Sequence, residues 1–426
     1  MESDCNCRYT NVYLDILAEE LRPAMGCTEP IAVAFCAAKA KDALGDLPEK
    51  VDVYCSGNMI KNVKAVTVPN SNGQKGIEVA AMLGITGGRA DNELEVLNSV
   101  KQEDIDLANK LIAQNICTAH HAKDVDNLYV RVELQKGDET SSCIVKTKHT
   151  FVSEIKKNGK IIFSEPDLVG DSRSDKSTLN LKDIYAFAKT VDLEKIKPVL
   201  KQQVEYNYAI AQVGLNEKWG ANIGRTLLDL YGENDVKFKA AATAAAGSDA
   251  RMGGCSLPVV INSGSGNQGI TVSMPVYVYA KEKGIDEETM YRGLVLANLV
   301  SLLQKRYIGD LSAYCGACCA GCSAVCGIAY MEGVDYETIG RIVINASSAI
   351  GGMVCDGAKS SCAAKIASAV MAGFLGYEQA KRDRNFKAGE GMIVEDIEQT
   401  IANIGRMGRE GMKGTDEEIL QIMLGN

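Results

Sequence analysis

Apolar positions recur along this chain with two different periods, and the change of period divides it. Over residues 10–21, Val12, Leu14, Ile16, Leu17 and Leu21 fall at helical spacing. The pattern stops at Arg22-Pro23, because proline cannot continue a helix. The alanine-rich run from Ile31 to Gly45 predicts a second helix, with Thr28 as its N-cap, Glu29 and Pro30 in its first turn and Gly45 closing it. Residues 50–55 alternate as a strand. A loop from Asn58 then leads to a short apolar segment and the turn cluster Pro69-Asn-Ser-Asn-Gly73. Helical spacing resumes over 76–85 and 99–115. From Asn127 to Phe163 the period is two, in four short runs separated by Lys-Gly-Asp and Lys-Asn-Gly turns, the signature of an antiparallel meander. Beyond the polar, turn-rich residues 164–180 the helical period returns over 182–190, 194–214, 221–231, 286–306, 312–332, 336–350, 359–374, 395–405 and 416–424. The expected class is α+β. An N-terminal α/β portion with the meander, residues 1–165, is followed across a linker at 164–180 by a mostly helical portion, residues 181–426.

Length and charge narrow the chemistry. A chain of 426 residues exceeds one ordinary core and is long enough to bury a large interior. Its formal charge of −9 argues against nucleic acid or an anionic membrane surface as partner, since both need a basic face. A small-molecule substrate is expected instead, and the composition leaves a homo-oligomer open. Met1 to Cys7 has neither a basic nor an apolar leader segment, and no run reaches the roughly 18 uncharged apolar residues of a membrane span, so a cytoplasmic protein is expected. In that setting fifteen cysteines read as thiols or metal ligands, not as a disulfide framework. Cys36, Cys55, Cys117, Cys143 and Cys255 stand singly in apolar or turn contexts and read as small core residues. With only three histidines in the chain, the chemistry is pushed toward sulfur.

Seven of the fifteen cysteines fall between Cys315 and Cys362. Small residues fill nearly every position from Leu311 to Ala329, so Cys318, Cys319, Cys322 and Cys326 have a plain packing role available. Cys355-Asp-Gly-Ala-Lys-Ser-Ser-Cys362 differs, because it sets two thiols at a helix entry, where the macrodipole favours thiolate. With one more ligand from the 315–326 segment these make three, and a [4Fe–4S] cluster on three cysteines keeps one iron open as a Lewis acid suited to elimination. Asn262-Ser-Gly264-Ser-Gly266-Asn-Gln-Gly269 contains the spacing of a dinucleotide loop. No second strand pattern stands between this loop and Cys315, so an anion-holding loop built on Ser263, Ser265 and Asn267 competes evenly with a plain turn. In Gly247-Ser-Asp-Ala-Arg251-Met-Gly-Gly254, Arg251 can clamp a carboxylate with Asp249 orienting it, or the segment is a surface turn. Elimination also needs a base. Cys27, just before a helix N-terminus with Thr28 and Glu29 beside it, is expected to have a lowered pKa and serve as thiolate base, with cluster ligand and buried bystander as its other roles. His149, expected on a meander strand, is the second candidate.

Together these stretches resemble one family, the L-cysteine desulfidases and the serine-dehydratase-alpha-like proteins grouped with them. The resemblance spans nearly the whole chain and rests on Gly26-Cys-Thr-Glu-Pro30, Gly57-Asn-Met-Ile-Lys-Asn62, Val66-Thr-Val-Pro69, Lys218-Trp-Gly220, Ser248-Asp-Ala-Arg-Met-Gly-Gly254, Asn262-Ser-Gly-Ser-Gly-Asn-Gln-Gly-Ile270, Leu311-Ser-Ala-Tyr-Cys315 and Cys355-Asp-Gly-Ala-Lys-Ser-Ser-Cys362. It implies an oxygen-sensitive [4Fe–4S] lyase that turns L-cysteine and water into pyruvate, ammonia and sulfide. Carried over by position, Cys315, Cys355 and Cys362 are the implied cluster ligands and Cys27 the implied proton acceptor. Arg251, Ser263, Ser265 and Asn267 are the expected carboxylate holders, and the expected substrate is an amino acid. The iron–sulfur L-serine dehydratases share the Cys-Asp plus later Cys arrangement at a longer spacing, and an L-serine dehydratase is the first alternative. A non-catalytic cluster or thiol sensor is the second; it has no need of an anion loop and a separate base cysteine.

Overall fold

The structure is a computed structural model that describes residues 7–166, 174–309 and 311–425. Part of the expected linker, residues 167–173, lies outside the described residues. The elements run α1 (Thr10–Glu20), β1 (Pro23–Met25), α2 (Thr28–Leu44), β2 (Lys50–Cys55), α3 (Gly57–Val63), α4 (Ile77–Thr86), α5 (Gln102–Ala113), β3 (Cys117–His121), β4 (Tyr129–Lys136), β5 (Glu139–Lys146), β6 (Val152–Lys157) and β7 (Lys160–Ser164). They continue with α6 (Leu181–Thr190), α7 (Lys197–Asn216), α8 (Ile223–Tyr231), α9 (Val236–Met252), β8 (Pro258–Val260), α10 (Gly266–Lys283), α11 (Glu287–Ile308), α12 (Gly316–Met331), α13 (Tyr336–Ile350), α14 (Ser361–Lys381), α15 (Ile397–Arg406) and α16 (Lys413–Leu424). The class is α+β, as the two periods predict.

The meander forms with the expected turns and lies inside a six-stranded sheet of order β3-β2-β4-β5-β6-β7. Strand β3 is an element the sequence reading lacks. Cys117-Thr-Ala-His-His has weak alternation, and it is a strand because parallel pairing with β2 (Val51 opposite Cys117, Cys55 opposite His121) satisfies its backbone. One face of the sheet, with Val51, Val53, Val130, Val132, Leu134 and Val145, buries against α2 and α4. Burying alternate residues on one face is what the period of two records.

In the helical portion α12 is central, packed by α10, α11, α13 and α14. Two long helices, α9 and α10, occupy segments where no helix is expected. From Ala240 to Met252 every residue of α9 is buried, and α10 is nearly as enclosed. A helix buried on all sides has no polar face, so it has no amphipathic period to read. Gly247 and Pro275 inside them also look like punctuation. The stretch 247–254, for which a surface turn was one of two readings, is therefore the last part of α9 with its exit. Residues 57–63, expected as loop, form α3, capped by the Ser56 hydroxyl accepting from the Met59 N–H at 3.4 Å.

Chain crossings tie the two portions together. Tyr13, Ile16 and Leu17 of α1 pack in the same core cluster as Phe187 and Leu299. Strand β1 pairs antiparallel with β8, Pro23 opposite Val260 and Met25 opposite Pro258. That short ladder carries Cys27 to the glycine-rich turn. Among the described residues no helix is long and apolar enough to cross a membrane.

Candidate active site

The structure makes Cys27, not Thr28, the residue that precedes α2 as its N-cap, and it is 1% exposed. Its thiol donates to Glu29 Oε2 at 3.0 Å. Thr28 is the first helical residue. Its hydroxyl lies 3.1 Å from the same carboxylate oxygen and 3.1 Å from the Gly264 carbonyl, which it joins to the glycine-rich turn. The expected lowering of the Cys27 pKa is overturned. Burial first, and then the Glu29 carboxylate, push the thiol well above its ordinary value, and the Arg251 cation offsets only part of this. For Glu29 burial acts upward, but His149, the Cys27 thiol and Arg251 outweigh it and hold the carboxyl below its ordinary value.

The turn itself has both central residues left-handed, Ser263 at φ 50° and Gly264 at φ 71°, with Asn262 and Ser265 exchanging backbone hydrogen bonds of 3.2 and 3.1 Å. A serine held at positive φ is costly and persists only where its surroundings enforce it. Here they do so through a fully buried polar network. Asn262 Nδ2 donates to Asn298 Oδ1 at 3.0 Å, Ser301 donates to Asn262 Oδ1 at 3.0 Å, and Asn298 exchanges two hydrogen bonds with Gln203. Ser265 then caps α10, accepting from the Gln268 N–H at 3.5 Å. Arg251 reaches the turn from the end of α9, its Nη1 donating to Asn267 Oδ1 at 3.1 Å. Only glycine fits at 266, where a Cβ would stand 2.4 Å from Arg251 Nε. Asp249 does not orient Arg251, as was expected. Its carboxylate turns away to the start of α8, where Oδ2 accepts from the Gly224 N–H at 3.0 Å.

Cys315 and Cys355 meet because residues 313–315 and 353–355 pair as a two-strand bridge: the Cys315 N–H donates to Met353 O at 2.9 Å and the Cys355 N–H to Ala313 O at 2.6 Å. Cys315 occupies the N-cap position of α12, with no capping hydrogen bond from its side chain. The two thiols share a hydrogen bond, which with Lys61 and Lys365 draws Cys355 down to about 6 against its burial, while the same bond raises Cys315. Cys362, in the first turn of α14, donates to Gly357 O at 3.7 Å, and burial raises it. The other thiols of α12 face elsewhere. Cys318, Cys322 and Cys326 lie on one ridge of the helix and reach the α13 carbonyls of Ile350, Ile342 and Ile339 at 3.5 to 4.0 Å, as packing residues with weak S–H donors.

All eight residues nominated from the sequence line one cavity of about 110 Å³: Cys27, Arg251, Ser263, Ser265, Asn267, Cys315, Cys355 and Cys362. Its walls come from both portions of the chain. His149 lines it too, from the turn between β5 and β6 and not from a strand. Glu29, Gln268, Asn62, Lys305 and Tyr314 join the lining without having been assigned a role from the sequence. All of these but Lys305 stand inside the quoted motifs, and that position was the available signal. Among the described residues no three His, Cys, Asp or Glu side chains converge on a single metal ion. The three thiols at the cavity nevertheless suit a cluster, whose ligands each bind a separate iron and need not share one point. Of the three, Cys355 is drawn toward thiolate, the ligating form, while Cys315 and Cys362 are held as thiols.

Comparison with known proteins agrees with this grouping. A family model described as the serine dehydratase alpha chain matches residues 91–421. A UPF0597 protein of Desulfitobacterium hafniense is 49% identical over 419 residues, which cover 98% of this chain and 97% of that protein. A UPF0597 protein of Finegoldia magna is 47% identical over 414 residues, with 97% and 99% covered, and one of Bacteroides thetaiotaomicron is 36% identical over 417 residues, with 96% of each covered. With a family model matched over most of its length and relatives this similar from end to end, the chain belongs to the serine dehydratase alpha chain family.

Proposed function

We propose that this protein is an iron–sulfur lyase that converts L-cysteine and water to pyruvate, ammonia and sulfide. The observation that carries the reading is the meeting of eight residues, nominated from five separate stretches of sequence, at one cavity. Cys315, Cys355 and Cys362 are the residues that would hold a [4Fe–4S] cluster there. Bound by three thiolates, such a cluster supplies an open iron, a Lewis acid for a departing sulfur.

The chain's own groups do the rest. Arg251, with Asn267 and the hydroxyls of Ser263 and Ser265, holds the substrate carboxylate at the N-terminus of α10, where free N–H groups and the helix dipole favour an anion. Cys27 takes the α-proton. Its own proton lies in the hydrogen bond to Glu29, so the thiolate forms as that proton passes to the carboxylate, and the α-proton then replaces it on sulfur. With Cys27 raised and Glu29 lowered this transfer is uphill, by about 1.4 kcal/mol per pK unit of difference, a cost the bound substrate must offset. Loss of the α-proton and of sulfide leaves 2-aminoacrylate, which water hydrolyses to pyruvate and ammonia.

The description of the matching family favours a second reading, in which L-serine is the substrate and hydroxide the leaving group. Anaerobic reconstitution with iron and sulfide, followed by pyruvate and sulfide assays on both amino acids, separates the two. Sulfide release from L-cysteine at the higher kcat/KM is expected. Faster pyruvate formation from L-serine gives the dehydratase reading the lead, and no turnover of either removes the lyase reading.

A further inference from the structure

Two buried polar atoms at the cavity have no hydrogen-bond partner, and they are of opposite kinds. Arg251 Nε is a donor and Gln268 Oε1 an acceptor. Arg251 is 2% exposed and Gln268 7%, and both line the cavity. A buried polar group left unpaired costs about 1–3 kcal/mol, and it is tolerated where a ligand completes it. Gln268 is fixed in place. Its N–H is tied to Ser265 in the first turn of α10, and its amide lies against Gly316, where a Cβ would come 2.6 Å from Oε1. A side chain at 316 would fill the space the amide occupies beside Cys315.

The ligand that answers both atoms brings an acceptor to Arg251 and a donor to Gln268. We propose that Gln268, with the Glu29 carboxylate on the same cavity, forms the subsite for an α-ammonium group, and that this subsite selects α-amino acids over α-hydroxy acids and simple carboxylates. The proposal rests on the amino-acid lyase reading above and adds the residue that reads the amine. A zwitterion places its ammonium two bonds from its carboxylate, so the group held by Arg251 sets where the second charge falls. A simple carboxylate leaves Gln268 Oε1 unpaired, whereas an α-hydroxy acid can donate its one O–H there but brings no second cation to Glu29. A site built to bond a polar group discriminates strongly against analogues that lack it.

The test uses ligands with no leaving group, so that binding is read apart from turnover. L-alanine, L-lactate and propionate are titrated calorimetrically into the reconstituted protein. L-alanine is expected to bind at least roughly tenfold tighter than the other two. Gln268→Met, close in shape but with no acceptor, is expected to lose most of the margin over propionate while leaving propionate itself unchanged, and Gln268→Glu is expected to retain it. L-lactate binding as tightly as L-alanine overturns the subsite, as does a folded Gln268→Met protein with undiminished preference. Should Gln268→Met fail to fold, the wild-type comparison of the three ligands decides alone. If L-cysteine or L-serine is turned over while the amine preference is missing, the subsite falls and the lyase reading stands. If there is neither turnover nor L-alanine binding, both fall.

Discussion

At the scale of single residues, the site is set by charges whose partners are far apart in sequence. Cys27 and Glu29 are neighbours in the chain, yet their protonation is decided by Arg251, His149 and burial. Asp249 offers the clearest pH test. It is fully buried, and burial raises its pKa to about 6 although N–H groups at the start of α8 pull it down. A raised folded-state pKa means the native protein binds more protons than the unfolded chain between the ordinary carboxyl value and about 6. This contribution is therefore present at low pH and lost as the pH rises through that window. The shift of about 2 units corresponds to about 3 kcal/mol. Asp249→Asn keeps an oxygen for the Gly224 N–H and has no charge to bury. Its unfolding free energy relative to the wild type is expected to improve by about 3 kcal/mol from about pH 4 to about pH 7.5 in urea titrations. A difference that does not change with pH contradicts the assignment.

At the scale of elements, α12 shows how one helix carries both packing thiols and a proposed ligand. Positions 318, 322 and 326 follow the i, i+4 ridge and face α13, whereas Cys315 stands at the N-cap, outside the ridge, where the bridge to 353–355 brings it to Cys355. The two roles are separable by experiment. Cys322→Ala is expected to lower stability by about 1 kcal/mol, through a small cavity, and to leave iron content after reconstitution unchanged. Cys355→Ala is expected to abolish iron retention. Iron content that falls in both variants, or in neither, is incompatible with this division. The buried network behind β8 plays a comparable role for the glycine-rich turn, holding Ser263 in a conformation that the residue alone disfavours.

At the scale of the whole molecule, the cavity exists because segments as far apart as Cys27 and Ile366 close on it, and the C-terminus braces a neighbouring junction. The C-terminal α16 crosses back to α3, where Asp416 pairs with Lys61, a lysine that is 1% exposed and whose charge also reaches Cys355. A larger cleft of about 580 Å³ lies along this junction and shares Leu311 and Ser312 with the site. Removing one member of such a pair leaves a buried charge uncompensated. Asp416→Asn is expected to cost about 2 to 3 kcal/mol and to raise protease cleavage near α16. Unchanged stability and cleavage would remove α16 as a clamp. The sequence by itself determined the elements whose environment alternates: the meander, the amphipathic helices and α2 with its glycine cap. It also nominated the residues of the candidate site, because cysteine density and glycine-rich turns are local properties. Tertiary structure alone decided what depends on being enclosed or paired from afar. Helices α9 and α10 are buried on all sides over most of their length and show no period, and β3 is a strand only beside β2. Cys27 remains a thiol because desolvation outweighs the helix N-terminus, Asp249 answers α8 instead of Arg251, and Gln268 gains its significance from a missing partner. In each case the controlling quantity is the loss of water around a group, which no stretch of sequence carries by itself.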